Sequence, residues 1–94
     1  MLFTIICMDK PGRAALRQTT RPRHLEYLGG FAGHIKWGGP MLDDTGETAV
    51  GSLLLVDFPD RAAAEALIAD DPYSKAGLFE SVVVRRARQI IPSP

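Results

Sequence analysis

Hydrophobic and polar positions along the chain change their period several times, and each change marks an element. Leu2 to Met8 is a β-branched and aromatic run closed by Asp9-Lys10-Pro11-Gly12, which predicts a strand followed by a turn. Residues 13 to 18 permit a helix, and a firmer helical start is expected at Thr20-Arg21-Pro22, where a hydroxyl cap and an early proline suit the first turn. Gly29, Gly30 and Gly33 mark its end. His34-Ile35-Lys36-Trp37 alternates as a second strand, which Gly38-Gly39-Pro40-Met41 is expected to end or kink. After the polar loop 42–47 comes a third strand, Ala49 to Val56, then an alanine-rich helix, Arg61 to Ala69, which stops before Pro72. Leu78 to Arg85 predicts a fourth strand with a potential extension through Ile90 and Ile91, and Pro92 to Pro94 form a tail.

The order βαββαβ, with no repeat, fits an α+β ferredoxin-like sandwich in which a four-stranded antiparallel sheet carries both helices on one face. Phe3 to Met8, Leu53 to Val56 and Val82 to Val84 are continuously apolar rather than alternating, which is the pattern of strands covered on both faces. Two helices cover one face, so a homodimer closed over the other is expected. The alternative places the extra apolar residues at strand ends or beneath loops.

Placing the first helix on a wheel of about 100° per residue puts Phe31, Leu28, Ala32 and Leu25 on one arc of roughly 120°, with His24 inside it. His24 therefore faces the body of the protein. In the predicted topology the start of that helix, the end of the second strand at Gly38 to Pro40, the start of the third at Ser52, and the exit of the second helix at Asp70 to Tyr73 share one rim. A histidine with a carboxylate on one ring nitrogen can exchange a proton through the other, so His24 and Asp71 form the candidate pair. The plainer reading makes Asp71 a turn residue before Pro72 and His24 a core histidine held by a carbonyl. His34 is expected at the opposite rim, exposed.

Composition adds bounds. The 94 residues predict a single domain over 1–94, with 46% hydrophobic and 23% charged residues in the globular range. Eleven basic and eleven acidic residues cancel, so no global field recommends nucleic acid or an anionic membrane. Arg85-Arg86-Ala87-Arg88, and Arg13, Arg17, Arg21 and Arg23, read as solvated faces. The lone Cys7 sits in an apolar run, where burial is expected. No leader pattern and no run near the ~20 residues of a membrane span is present, so the cytoplasm is the expected location. There is no phosphate-binding glycine loop, no paired spacing of metal ligands, and no nucleophile elbow around Ser52.

Arg21-Pro22-Arg23-His24-Leu25, Gly39-Pro40-Met41, Gly51-Ser52 and Asp70-Asp71-Pro72-Tyr73 with Ala76-Gly77-Leu78-Phe79 together resemble the YciI (YCII-related) family, over nearly the whole chain. The resemblance implies a ferredoxin-like protomer in a dimeric α/β-barrel type of association, with a histidine–aspartate dyad that falls on His24 and Asp71. It also implies a pocket lined by Ser52, Gly39 and Pro40, beside which Tyr73 is a further substrate-binding candidate. Because the family includes a dehydrochlorinase of a chlorinated hydroxyhydroquinone, it implies proton-transfer or lyase chemistry on a small aromatic or enolic molecule, without metal or organic cofactor. The alternative is a small-molecule binding or accessory module that does no chemistry. The glycine-rich segment 29–33 departs from the more regular helix usual in the family.

Overall fold

The computed structural model describes every residue from Met1 to Pro94. The chain runs β1 (Leu2–Asp9), α1 (Ala14–Gly29), β2 (Ile35–Leu42), β3 (Ala49–Asp57), α2 (Arg61–Ala69), the single turn α3 (Pro72–Lys75) and β4 (Phe79–Ala87). The strands form one sheet in the order β2-β3-β1-β4 with every neighbouring pair antiparallel. This is the ferredoxin-like α+β fold expected from the strand and helix order.

Register sorts the strands' side chains onto two faces. Phe3, Ile5 and Cys7 of β1 stand opposite Val56, Leu54 and Ser52 of β3. All six are buried beneath the helices. Ala64, Leu67 and Ile68 of α2, spaced i, i+3 and i+4, close over that face and join Phe3, Ile5, Cys7, Leu54, Val56, Phe58 and Val84 in one apolar core. The other face carries rows such as Gly39, Leu53, Ile6, Val83 and Trp37, Leu55, Thr4, Arg85, with no element over them. Trp37 is 55% exposed there. The continuously apolar runs thus correspond to one face covered within the chain and one left apolar and open.

Element limits differ from the expectation in four places, each for a local reason. Helix α1 begins at Ala14 rather than Thr20, since residues 14–18 are strong helix formers and Gly12, at φ +73°, turns the chain into them. Pro22 lies inside the helix, which holds on both sides of it through the buried side chains of Arg17, Thr20 and His24. Strand β2 continues through Gly38, Gly39 and Pro40 to Leu42, because it is an edge strand and the missing proline N–H costs an edge nothing. Strand β4 stops at Ala87, paired with Leu2, beyond which β1 offers no partner, so Ile90 and Ile91 are exposed. No helix is long and apolar enough to cross a membrane.

Two predictions follow from the packing. A Cβ on Gly51 would collide with the Cys7 carbonyl oxygen and stand 2.7 Å from Met41 Cε. Backbone cannot yield as a side chain can, so Gly51→Ala is expected to cost about 1–3 kcal/mol in urea unfolding. Burial, then the charge of Asp71, pushes the Cys7 thiol up to about 12 from 9.0. A pKa raised on folding contributes stability that is whole below about 9 and is lost as pH climbs toward about 12. Iodoacetamide at about pH 9 should therefore label Cys7 rapidly in urea and only at the rate of opening in the native protein.

Candidate active site

Helix α1 turns a polar stripe toward the sheet. Arg17, Thr20 and His24, at i, i+3 and i+7, are 8%, 1% and 9% exposed. Arg21 and Leu28 lie along the same stripe, and a cleft of about 450 Å³ opens between it and the β2–β3 side of the sheet. Its walls include Arg17, Arg21, His24, Ser52, Tyr73 and the backbone of Gly38, Gly39 and Pro40, with Leu25, Leu28, Ile35 and Leu54 as the apolar part.

His24 and Asp71 meet although 47 residues separate them. The Nδ1–H of His24 donates to Oδ1 and Oδ2 of Asp71, both at 2.9 Å. Asp71 is fully buried, and its Oδ1 also accepts the Tyr73 backbone N–H at 2.8 Å, which caps α3. Pro72 occupies the first helical position and favours the extended conformation that Asp71 adopts before it. Tyr73 then lays its ring on the His24 imidazole, with centroids 3.9 Å apart and planes inclined by 17°. Asp71-Pro72-Tyr73 is thus one unit that grips a histidine by an edge and a face. With Nδ1 protonated toward Asp71, the lone pair of the neutral ring lies on Nε2, which has no protein partner.

A second polar group adjoins the first. Arg17 donates Nε to Asp9 Oδ2 at 2.7 Å, and Nη2 to Asp9 Oδ1 at 2.9 Å and Ser52 Oγ at 2.8 Å. Its guanidinium carbon stands 4.7 Å from the centre of the Tyr73 ring. Burial pulls the Arg17 pKa down, but the hydrogen bonds and charge of Asp9, with Tyr73 adding to them, outweigh it and hold the guanidinium above its ordinary value. Burial raises the Tyr73 phenol, and the charges of Arg17 and Arg21 pull it partly back.

Of the residues named from sequence, His24 and Asp71 are in contact, Ser52, Gly39 and Pro40 line the cleft, and Tyr73 joins the lining while remaining 1% exposed behind His24. The Ser52 oxygen accepts from Arg17, so no serine–histidine hydrogen bond exists. His34 is exposed at the far rim, its ring stacked on Phe58. No group of three or more His, Cys, Asp and Glu side chains is placed to hold a metal ion. Gly38 contributes more than sequence suggested: its missing Cβ would stand 2.6 Å from Leu54 Cδ2 in the cleft wall, whereas that of Gly39 would point toward Trp37.

Asp9 and Arg17 were not foreseen. Asp9 reads as turn punctuation and Arg17 as one of several solvated arginines. The available signal was the spacing of Arg17 and His24, two turns apart on one helical face, which becomes visible once the helix starts at Ala14.

Known proteins resemble this chain at several distances. A protein of Agrobacterium tumefaciens, 20% identical, covers 100% of this chain with 98% of its own at a TM-score of 0.59, a likeness of fold alone. The 5-chloro-2-hydroxyhydroquinone dehydrochlorinase of Burkholderia phenoliruptrix AC1100, solved with 2,5-dihydroxybenzoquinone, is 32% identical, with 94% of each chain covered and a TM-score of 0.87. Protein YciI of Escherichia coli O6:H1 is 32% identical over 96% of this chain and 99% of its own length. The YCII-related domain matches residues 1–88, and the chain belongs to that family.

Proposed function

We propose that this protein is a cofactor-independent enzyme that moves a proton on a small aromatic or enolic molecule, with His24 as general base and acid. The observation that carries the reading is the buried Asp71 carboxylate on His24 Nδ1, which leaves Nε2 as the one unengaged ring nitrogen on the wall of a 450 Å³ cleft. Asp71 fixes the tautomer and stabilises the imidazolium that forms when Nε2 accepts a proton. Ser52 and the backbone at Gly39 and Pro40 hold the substrate, and Tyr73 keeps the imidazole in plane.

In a lyase step, Nε2 removes a proton from a carbon next to one that carries a leaving group. The C–H electron pair becomes a C=C bond, the leaving group departs with its own bonding pair, and the proton passes from Nε2 to solvent. For a chloride leaving group the sum is loss of HCl, with no oxidant or reductant. The likeness to a dehydrochlorinase at 32% identity supports this class of step.

The second part of the proposal is a homodimer. The apolar rows on the open sheet face, with Trp37, Leu55, Leu53, Ile6 and Val83, favour a second copy laid face to face.

Turnover should be sought on chlorinated hydroxyhydroquinones first, then on lactones and enols. Replacing His24 by Gln is expected to lower kcat on any substrate found by about 10²- to 10⁴-fold. Turnover that survives His24→Gln removes the pair from the chemistry, and a ligand bound by the wild type and returned intact makes the protein a binder. For the assembly, light scattering at micromolar concentration should give twice the mass of one chain, and Leu53→Glu should halve it. A wild-type monomer there contradicts the dimer, whose interface should bury more than about 1,000 Å².

A further inference from the structure

The hydrogen-bonding capacity facing the cleft is one-sided. Both oxygens of Asp9 are engaged by Arg17, and both oxygens of the fully buried Asp71 by His24, with Tyr73 N–H adding to one. Neither carboxylate lines the cleft, so neither presents an acceptor to a ligand there. The donors are different. Arg17 uses Nε and Nη2 on Asp9 and Ser52, and its Nη1 donates to neither of them; the Tyr73 side chain is the further group that acts on the guanidinium. The Ser52 oxygen accepts from Arg17, and its own proton goes to no protein group. No buried polar side-chain atom in the molecule lacks a partner, so Arg17 Nη1 is not sealed away unsatisfied, and Ser52 reaches the cleft as one of its lining residues. Both residues are more than nine-tenths buried, at 8% and 5% exposed, and both line the cleft. Arg21, exposed on the same wall, forms no ion pair and adds a positive charge that no carboxylate cancels.

We infer that Arg17 Nη1 and the Ser52 hydroxyl form an oxyanion site, and that the molecule bound here is a flat one carrying an anionic oxygen, such as an enolate, a phenolate or an ionised hydroxyquinone. A cleft that offers the Arg17 and Ser52 donors, the positive charges of Arg17 and Arg21, the His24 Nε2 lone pair and apolar walls at Leu25, Leu28, Ile35 and Leu54 favours a flat anion. The inference names the substrate class for the proton-transfer reading and rests on it for the orientation of the ligand. The anion site itself stands without any chemistry. When Nε2 takes a proton from carbon, the electron pair left behind is delocalised onto the oxygen held by Arg17 and Ser52, where a preorganised charge lowers the barrier. Asp9 is a positioning residue: its two-point grip fixes the plane of the guanidinium and with it the direction of Nη1.

The test is calorimetric titration near pH 7 with two probes on one six-membered ring. One is 2,5-dihydroxybenzoquinone, a vinylogous acid that is ionised there, and the other is hydroquinone, which is not. Arg17→Lys keeps a charge beside Asp9 but loses the second donor arm, and is expected to weaken the anionic probe by about 10- to 100-fold while changing hydroquinone by no more than about twofold. Ser52→Ala leaves the Arg17–Asp9 pair intact, so it folds whatever Arg17→Lys does, and should weaken the anion by about 5- to 10-fold with the same selectivity. Equal losses for both probes, or no loss for the anion, overturn the site. Failure of the proton-transfer reading is separately visible: turnover that survives His24→Gln removes the base, whereas the anion site is judged only by the binding of the two probes to Arg17→Lys and Ser52→Ala.

Discussion

The interaction on which the rest depends is the Asp71 carboxylate, which has no access to water. Removing an ionised carboxylate from solvent costs several kcal/mol even after relaxation, and the cost is met only when its lone pairs are occupied. Here they are occupied by His24 Nδ1–H and the Tyr73 amide. That requirement explains the chain around it: a proline that holds Asp71 extended, a one-turn helix whose cap it forms, and a tyrosine whose ring covers the same imidazole. Loss of either partner would leave a buried charge unpaired, so the site is also a fastening of α1 to the rest of the fold.

The region under the helices divides into two kinds of interior. Helix α2 presses Ala64, Leu67 and Ile68 onto β1 and is held by ordinary apolar burial. Helix α1 faces the sheet with Arg17, Thr20 and His24 instead. A helix that turns its polar side inward gains little from the hydrophobic effect there, and depends on Arg17–Asp9 and His24–Asp71 for its placement. Arg17 and His24, which line the cleft, are thus also the residues that hold this helix in place, whereas α2 contributes nothing to the cleft wall.

Which parts of this were legible in the sequence follows from the range of the forces involved. Element order and the ferredoxin-like class could be read because apolar runs, turn residues and helix-forming segments are local signals. His24 and Asp71 could be paired because His24 lies on the inward arc of its helix and the family resemblance fell on the same two residues, although His24 sits well inside α1 and not at the helix start that the shared rim supposed. Arg17 was hidden because an arginine's burial is set by its partner, and Asp9 lies across a turn, on another element. The start of α1 was misplaced for a related reason. Thr20 and Pro22 look like a helix beginning, and only the tertiary anchoring on either side lets the helix run through the proline. Pro40 likewise looks like a strand end until β2 is known to be the edge.

Strand β3 joins the two surfaces this protein presents. Its even residues Ser52 and Leu54 face the cleft, and its odd residues Gly51, Leu53 and Leu55 face the open side of the sheet. Because side chains alternate with a period of two, a slip of one residue would exchange the sets, placing Leu53 beside Arg17 and Ser52 in the apolar rows. Such a slip is opposed on both faces at once. Ser52 Oγ is fixed to Arg17, and Gly51 is the residue that lets β3 lie against the Cys7 carbonyl and the Met41 side chain. Gly51-Ser52 is therefore a register lock: the glycine sets how closely the strands approach, and the serine beside it is thereby aimed at the guanidinium.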